Sequence, residues 1–138
     1  MAVNTYSLAR DGEKNLTTNF KVKEFRYQDG SDTILIDSDL VNYLQKIREW
    51  TGAAVTITSG YRTPSHNASQ GGASNSYHVK GQAADIVVSG KTPIEIARLA
   101  QTIGMKGIIK YSGFVHVDTR TTKYFSNDGG TTSCTTFY

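Results

Sequence analysis

Apolar residues recur along the chain at two spacings, one typical of helices and one typical of strands. Residues 38–51 and 93–103 each carry an apolar stripe with intervals of three and four, which predicts two amphipathic helices. Asp37 or Ser38 is placed to cap the first helix, and Thr92-Pro93-Ile94-Glu95 is a capping box that begins the second. A glycine follows each segment, where helices commonly end.

Shorter runs of β-branched and apolar residues predict the strands. They cover residues 55–58, 83–88, 107–111 and 114–118, with a brief apolar run at 33–36 and an alternating stretch at 20–25. Ser112-Gly113 is a hairpin-type turn signal, so the two strands around it are predicted to pair. These elements predict an α+β fold in which two main helices pack on a small antiparallel sheet.

The polar segments set the expected domain limits. Residues 1–19 lack clear periodicity and are interpreted as a polar N-terminal lead-in. Residues 20–125 form the predicted domain, and residues 126–138 are interpreted as a polar edge strand or tail. Within the domain, Ser59 to Lys80 is a long loop rich in Gly, Ser and Asn. A loop of that length inside a compact domain is usually functional.

Composition and charge narrow the class of partner. A chain of 138 residues suits one compact domain, and its net charge of +3 comes from scattered basic residues rather than from a basic run. We therefore expect no binding to nucleic acid, and no stretch is apolar and long enough for membrane insertion. A monomer is expected. Cys134 is the only cysteine, which excludes an intrachain disulfide and a thiolate zinc site.

Three residues with metal-binding side chains lie in or next to predicted strands. Asp85 interrupts the apolar run 83–88, where a carboxylate is costly unless it is paired or bound to a metal. His116 interrupts a second apolar run and shares its strand face with Asp118. Taken singly, Asp85 also suits a salt bridge, and His116 a hydrogen-bonded core position. Together with His78, they supply three nitrogen and oxygen ligands, the number that a catalytic zinc site uses.

The surrounding residues resemble a known family. Ser59-Gly60-Tyr61-Arg62-Thr63-Pro64, His66-Asn67 and Gly71-Gly72-Ala73 lead into Ser76-Tyr77-His78-Val79-Lys80-Gly81-Gln82-Ala83-Ala84-Asp85. The spacing Ser-x-His-x-x-Gly-x-Ala-x-Asp, with a later Phe-Val-His-Val-Asp segment, is similar to that of the D-alanyl-D-alanine carboxypeptidase-like zinc peptidases, the M15 group. The resemblance covers about residues 20–120 and implies the hedgehog-type zinc fold of that group.

The resemblance also implies a cofactor, a substrate and roles for single residues. It implies one zinc ion per chain, with three ligands: His78, Asp85 and His116. Arg62 would lie near the substrate or the developing oxyanion, and Ser76 would brace the ligands from behind. Arg62 and Tyr111 are the expected substrate-binding residues. The implied reaction is hydrolysis of a peptide bond in peptidoglycan stem peptides, either D-Ala-D-Ala at the stem terminus or an internal bond such as L-Ala-D-Glu.

One position departs from the family pattern. Many relatives carry a catalytic Glu or Asp three residues before the last histidine, where this chain has Gly113. The general base is therefore assigned first to Asp118, because it shares a strand face with His116, and second to His66. Asp118 has an alternative role as a partner of His116 or of Arg120. His66 has an alternative role as an ordering residue of its loop.

Two further functions and the site of action complete the expectations. With Gly113 in place of an acid, the same fold also suits a non-catalytic zinc-containing module that binds cell wall or protein. A closed structural site, with His66 as a fourth ligand, is a third interpretation. For the enzyme we expect action on the cell wall, outside the cytoplasm. Because residues 1–20 have no apolar leader core, delivery is expected by a phage holin, on a virion or within a larger secreted protein.

Overall fold

The structure, a computed structural model, describes residues 3–27, 30–64 and 76–137. Its strands are β1 (Val3–Ser7), β2 (Asn15–Thr17), β3 (Phe20–Lys21), β4 (Thr33–Asp37), β5 (Val55–Ser59), β6 (Ala83–Val88), β7 (Gly107–Lys110), β8 (Val115–Asp118) and β9 (Tyr124–Ser126). Its α-helices are α1 (Leu8–Asp11), α2 (Ser38–Thr51) and α3 (Pro93–Thr102), and a 3-10 helix spans Val22–Phe25. The predicted α+β class is confirmed.

A five-stranded sheet in the order β5-β6-β8-β7-β9 forms the centre of the described chain. All neighbouring strands run antiparallel except β7 and β9, which are parallel. The strands β7 and β8 pair as the hairpin that Ser112-Gly113 predicted. The register of β6 and β8 places Asp85 directly opposite His116. Two of the three candidate metal ligands are therefore brought together by strand pairing alone.

The two long helices begin and end close to the predicted positions. The Asp37 carboxylate caps α2 by accepting from the Asp39 N–H at 2.9 Å, and Gly52 ends the helix with a φ of 63°. Thr92 and Glu95 form the expected capping box at the start of α3. The apolar faces of both helices join the core beneath the sheet, with α2 against β5 and α3 against β6, β7 and β8.

The N-terminal segment, interpreted from the sequence as a polar lead-in, contains strands that pair with others in the described chain. The strand β1 pairs antiparallel with β4 along its whole length, and β2 pairs with β3. The alternating stretch at 20–25 is a strand only at Phe20–Lys21, and Val22–Phe25 forms the 3-10 helix with Val22 and Phe25 buried. Pairing between strands far apart in sequence leaves no local signature, so periodicity alone did not reveal it.

The C-terminal segment also packs against the rest of the chain. Phe137 is only 5% exposed, and its ring centroid lies 5.3 Å from that of Phe125 in β9. The Gln101 side chain on α3 accepts from the Phe137 N–H and donates to the Thr136 hydroxyl. The strand β9 ends at Ser126, where the edge strand or tail was expected to begin, and Thr136 and Phe137 are held by these contacts. None of the helices in the described ranges has the length and apolar character needed to cross a bilayer.

Candidate metal centre

The side chains of His78, Asp85 and His116 converge on one buried point. Nε2 of His78 lies 3.2 Å from Oδ1 of Asp85, and Nδ1 of His116 lies 3.1 Å from the same oxygen. The two ring nitrogens are 3.3 Å apart. These three atoms, which we call the ligand triangle, therefore form a nearly equilateral arrangement. All three residues are buried, and together they are a group able to hold a metal ion.

Hydrogen bonds on the far side of each ring decide which nitrogen faces the ligand triangle. Nδ1 of His78 donates to the carbonyl oxygen of Gly60 at 2.8 Å, and Nε2 of His116 donates to the Asp118 carboxylate at 2.7 Å. In the neutral rings, the nitrogens of the ligand triangle therefore carry lone pairs. Three acceptor atoms this close repel one another unless a cation lies between them. The donor set thus calls for a metal ion.

The size and chemistry of the ligand triangle fit zinc. In a tetrahedral site with Zn–N and Zn–O bonds of about 2.0–2.1 Å, neighbouring ligand atoms are about 3.3 Å apart. The measured edges of 3.1, 3.2 and 3.3 Å agree with that spacing. Two neutral imidazoles and one carboxylate are a donor set that zinc accepts, and they leave one net positive charge on the complex.

Electrostatics keep Asp85 ionised within this cluster. Burial raises the pKa of Asp85, but its contacts with the imidazoles of His116 and His78 outweigh burial and hold that pKa well below its usual range. For His116 the two effects have the opposite directions. Burial lowers its pKa, but the carboxylates of Asp118 and Asp85 raise it above its usual value. A carboxylate behind an imidazole increases its basicity, which strengthens the ring as a metal ligand.

Asp118 binds the side of His116 that faces away from the ligand triangle. Its Oδ2 lies 2.7 Å from Nε2 of His116 and 2.6 Å from Nη2 of Arg120, and its Oδ1 accepts from Nε of Arg120 at 2.8 Å. Burial raises the pKa of Asp118, but the bonds from Arg120 and His116 hold it at about 2. The two contacts that the sequence left open as alternatives, with His116 and with Arg120, are both present.

Two features that were not predicted from the sequence hold Asp118 in place. The guanidinium carbon of Arg120 lies 4.6 Å from the ring centroid of Tyr77 and 5.2 Å from that of Tyr124, so the cation is fixed between two aromatic rings. Gly107 pairs with Asp118 across β7 and β8, and a Cβ at Gly107 would lie 1.8 Å from the Asp118 Oδ1. A glycine at the start of a predicted strand is the signal that would have indicated this close approach.

Arg62 and Ser76 each contact one of the three candidate ligands. Nη2 of Arg62 is 3.5 Å from Oδ2 of Asp85, and its Nε donates to the Ser59 hydroxyl at 3.2 Å. The Arg62 side chain is 26% exposed, so it lies between the buried carboxylate and solvent. The Ser76 hydroxyl accepts from the backbone N–H of His78 at 3.3 Å. Ser76 therefore supports His78 through its backbone and not through its ring.

The signature glycine, Gly81, fixes the turn that carries His78. Gly81 has a φ of +75°, and a Cβ there would lie 2.6 Å from the backbone of Leu35. Its carbonyl oxygen accepts from the N–H of Asp37 at 2.8 Å, at the end of β4. Only glycine accepts both the left-handed backbone and the close approach. The end of β4 thus supports the turn that positions His78.

Tyr111 and Gly113 lie in the segment that joins β7 to β8. The Tyr111 ring stacks on Phe114 with centroids 4.4 Å apart. Burial and the negative charge of Asp85 raise the pKa of Tyr111, and Arg62 lowers it, so the phenol lies within the field of the cluster. Gly113 lies in the exposed β7–β8 turn, with space around it for a side chain. His66 lies outside the described residues.

Two curated proteins are similar in sequence to this chain. A probable peptidoglycan L,D-endopeptidase MepK from Haemophilus influenzae is 39% identical over 74 residues, which cover 49% of this chain and 40% of the relative. The peptidoglycan L,D-endopeptidase MepK from Escherichia coli K12 is 37% identical over 93 residues, which cover 61% of this chain and 51% of the relative. The chain therefore spans about half the length of the curated relatives it matches.

The family match is broader than either pairwise match. The family described as Peptidase M15 matches residues 14–118. This span includes the whole ligand triangle, together with Arg62, Ser76, Gly107 and Asp118. It also includes β2 and β3, which agrees with the inclusion of part of the N-terminal segment in the fold. This match, together with the ligand triangle and its supporting residues, shows that the chain belongs to the M15 peptidase family.

Proposed function

We propose that this chain is a zinc-dependent peptidase that hydrolyses a peptide bond in the stem peptides of bacterial peptidoglycan. The observation that carries the proposal is the buried ligand triangle, in which two imidazole lone pairs and one carboxylate oxygen face one another at 3.1 to 3.3 Å. When bound by His78, Asp85 and His116, zinc supplies Lewis acidity that polarises a peptide carbonyl and makes water nucleophilic near neutral pH.

Arg62 and Tyr111 are proposed to bind and orient the substrate. The Arg62 guanidinium lies at the boundary between Asp85 and solvent, where a substrate group approaching the ligand triangle would pass. Its N–H groups are suited to a substrate carboxylate or to the negative charge that develops on the carbonyl oxygen. The Tyr111 phenol, whose pKa is influenced by burial, Asp85 and Arg62, offers a second donor, which unlike the guanidinium is neutral.

We assign Asp118 a positioning role in place of the general-base role proposed first from the sequence. Asp118 is 0% exposed, and both of its oxygens are engaged by His116 and Arg120. It contacts the imidazole nitrogen opposite the ligand triangle, so it fixes the tautomer and orientation of the His116 ring. Of the two residues named from the sequence, His66 is then the remaining candidate for proton transfer. It lies outside the described residues, so this role stays a prediction.

An internal bond between an L- and a D-residue is the proposed point of cleavage. The two relatives are described as peptidoglycan L,D-endopeptidases, although this chain covers only about half of each. The alternative bond within this function is the terminal D-Ala-D-Ala. The proposed site of action is the cell wall, and the proposed partner is the stem peptide.

Digestion of purified peptidoglycan tests this function directly. The zinc-loaded protein is incubated with peptidoglycan, and the released fragments are identified by mass spectrometry, with a chelator-treated sample and His78→Ala as controls. We expect about one zinc per chain, cleavage at an L,D bond and no cleavage in either control. Release of D-alanine alone would instead establish the carboxypeptidase reaction.

Two results would overturn the proposal in different ways. Absence of zinc after exposure to the metal would show that the ligand triangle is not a zinc site. Bound zinc with intact peptidoglycan would favour the non-catalytic wall- or protein-binding module. That second function has one specific observation in its favour, since Gly113 offers no carboxylate at the position where many relatives carry an acid.

A further inference from the structure

A groove runs along the outer edge of β5 and opens beside the ligand triangle. Its volume is about 740 Å³, within the range of ligand-binding sites. One wall is β5 with Gly60 and Arg62 after it, and the other wall is formed by Glu24, Arg26 and Tyr27. The proposed function assigns a role to Arg62 only, so the rest of this groove has no function yet.

The groove is continuous with the ligand triangle at one end. Ser59, the last residue of β5, pairs with Asp85. The next residue, Gly60, accepts the hydrogen bond from Nδ1 of His78. Arg62 lines the groove and also lies 3.5 Å from the Asp85 carboxylate. A chain lying in the groove would therefore extend directly to the metal ligands.

Among the described residues, β5 has a strand partner on one side only. It is the terminal strand of its sheet, and β6 is its only paired strand in the described part of the chain. The carbonyl of Ala54 accepts from the N–H of Ser89 on the β6 side. Because antiparallel pairing alternates along a strand, the N–H and C=O groups of Val55 and Ile57 point to the open edge. They are placed to pair with another extended chain.

The sequence of β5 carries neither a charge nor a proline, two of the devices that block strand addition, although its register shifts between Ile57 and Ser59. Natural edge strands are commonly protected by Lys, by Pro or by inward-pointing charges. The residues of β5 are Val55, Thr56, Ile57, Thr58 and Ser59, which include no charged residue and no proline. An edge without charge or proline that leads to a candidate active site is suited to bind a peptide by main-chain hydrogen bonds.

The charges along the groove favour an acidic peptide. Arg26 is exposed on the wall opposite β5, and Arg62 lies at the end nearest the ligand triangle. The carboxylate of Glu24 accepts the backbone N–H of Lys21 at 2.7 Å, so one of its oxygens is already engaged. Two guanidinium groups against one carboxylate leave the groove lining with a net positive charge, and each guanidinium is suited to a carboxylate.

We propose that the groove along β5 is the substrate-binding cleft, in which an extended acidic peptide pairs with the open edge of β5 while Arg26 binds one of its carboxylates. This proposal rests on the proposed function, since a peptidoglycan stem peptide is the acidic peptide that would occupy the groove. Main-chain pairing at Val55 and Ile57 holds the peptide in register, and Arg62 meets it next to the ligand triangle.

Hydrogen exchange on the zinc-loaded protein tests the pairing without requiring catalysis. The probe is a synthetic stem peptide containing the L-Ala-D-Glu bond, and exchange is read within seconds of mixing. We expect the amide protons of Val55 and Ile57 to become protected, at least about tenfold, while amides on α3 are unchanged. Unchanged exchange at both residues with saturating peptide would overturn the proposal.

Steady-state kinetics provide an independent test with a matched control. We expect Ile57→Pro, which removes an N–H from the open edge, and Arg26→Glu each to raise KM about tenfold with little change in kcat or zinc content. Arg98→Glu makes the same charge change on the exposed face of α3, outside the groove, and should leave KM unchanged. If Ile57→Pro fails to fold, the KM of Arg26→Glu alone decides whether the groove binds the peptide.

The combined outcomes separate this proposal from the proposed function. Protected amides without hydrolysis would support the groove and contradict the peptidase. Hydrolysis with an unchanged KM in both variants and no protection would support the peptidase and overturn the groove.

Discussion

A methyl group added at Gly107 is expected to weaken zinc binding without touching a zinc ligand. In Gly107→Ala, the new Cβ would lie 1.8 Å from Oδ1 and 2.3 Å from Cγ of Asp118. Ordinary van der Waals contact begins at 3.4 Å, so the carboxylate must retreat by about 1.6 Å (from 1.8 to 3.4 Å). A movement of that size breaks the 2.7 Å hydrogen bond to Nε2 of His116.

The expected loss follows from the role of Asp118 behind His116. Disturbing a group that orients a metal-binding histidine typically costs 10- to 100-fold in metal affinity, or about 1.4 to 2.7 kcal/mol. We therefore expect Gly107→Ala to bind zinc about 10- to 100-fold more weakly in a competition titration with a chromophoric chelator. Gly113→Ala is the matched control, because a Cβ at Gly113 meets nothing within 4 Å.

A double-mutant cycle separates this mechanism from general damage to the sheet. If Gly107→Ala acts through the carboxylate, it should cause no further loss of zinc affinity in an Asp118→Ala background. Circular dichroism of the zinc-free proteins reports whether each variant is folded. Zinc affinity within twofold of the unmodified protein in a folded Gly107→Ala variant would refute the positioning role of Asp118. An additive loss in the double variant would refute the route through Asp118.

Three other predictions address proton transfer, the C-terminal segment and acid stability. His66→Ala should retain about one zinc per chain and lose about 10²–10⁴-fold in kcat on peptidoglycan fragments, and unchanged kcat would remove His66 from the mechanism. Phe137→Ala should destabilise the fold by about 3 kcal/mol in urea unfolding, because Phe137 is 5% exposed against Phe125, whereas a change below about 0.5 kcal/mol would show that the C-terminal segment is not anchored. Hydrogen bonds from Thr132 and Ser126 lower the pKa of Asp128 to about 2, so its stabilising effect is present above the unfolded pKa of about 3.9 and is lost as the pH falls toward 2. Thermal unfolding of Asp128→Asn should therefore show a smaller stability loss between pH 4 and pH 2 than the unmodified protein, and equal losses would contradict this assignment.

Local signals in the sequence were sufficient for the helices, the hairpin and the choice of the candidate ligands. Capping residues and apolar spacing act within one or two helical turns, so α2 and α3 were predicted nearly to their ends. A carboxylate and a histidine within apolar strands are costly unless they are partnered, which singled out Asp85 and His116, and only together with His78 did they make a three-ligand set. The resemblance to the M15 group added roles for Arg62, which contacts the Asp85 carboxylate, and for Ser76, which contacts the His78 backbone; those roles stay predictions.

The arrangement around those ligands depends on contacts between residues distant in sequence. Asp118 was correctly placed on the strand face of His116, but the sequence did not show that its carboxylate turns to the outer nitrogen of the ring and to Arg120. That choice depends on the space left by Gly107 across the sheet. The pairing of β1 with β4 and the groove along β5 likewise arise from strand order and register.

The amino-acid sequence by itself therefore determined which residues can bind a metal and which segments are helix or strand, because side-chain chemistry and periodicity are local properties. Only the tertiary structure decided which nitrogen of each histidine faces Asp85, since Gly60 and Asp118 fix those rings from other segments. It also decided that β5, next to the candidate active site, is a terminal strand of the sheet as far as the chain is described. Strand order and tautomer both depend on neighbours brought together only by folding, and no local pattern encodes them.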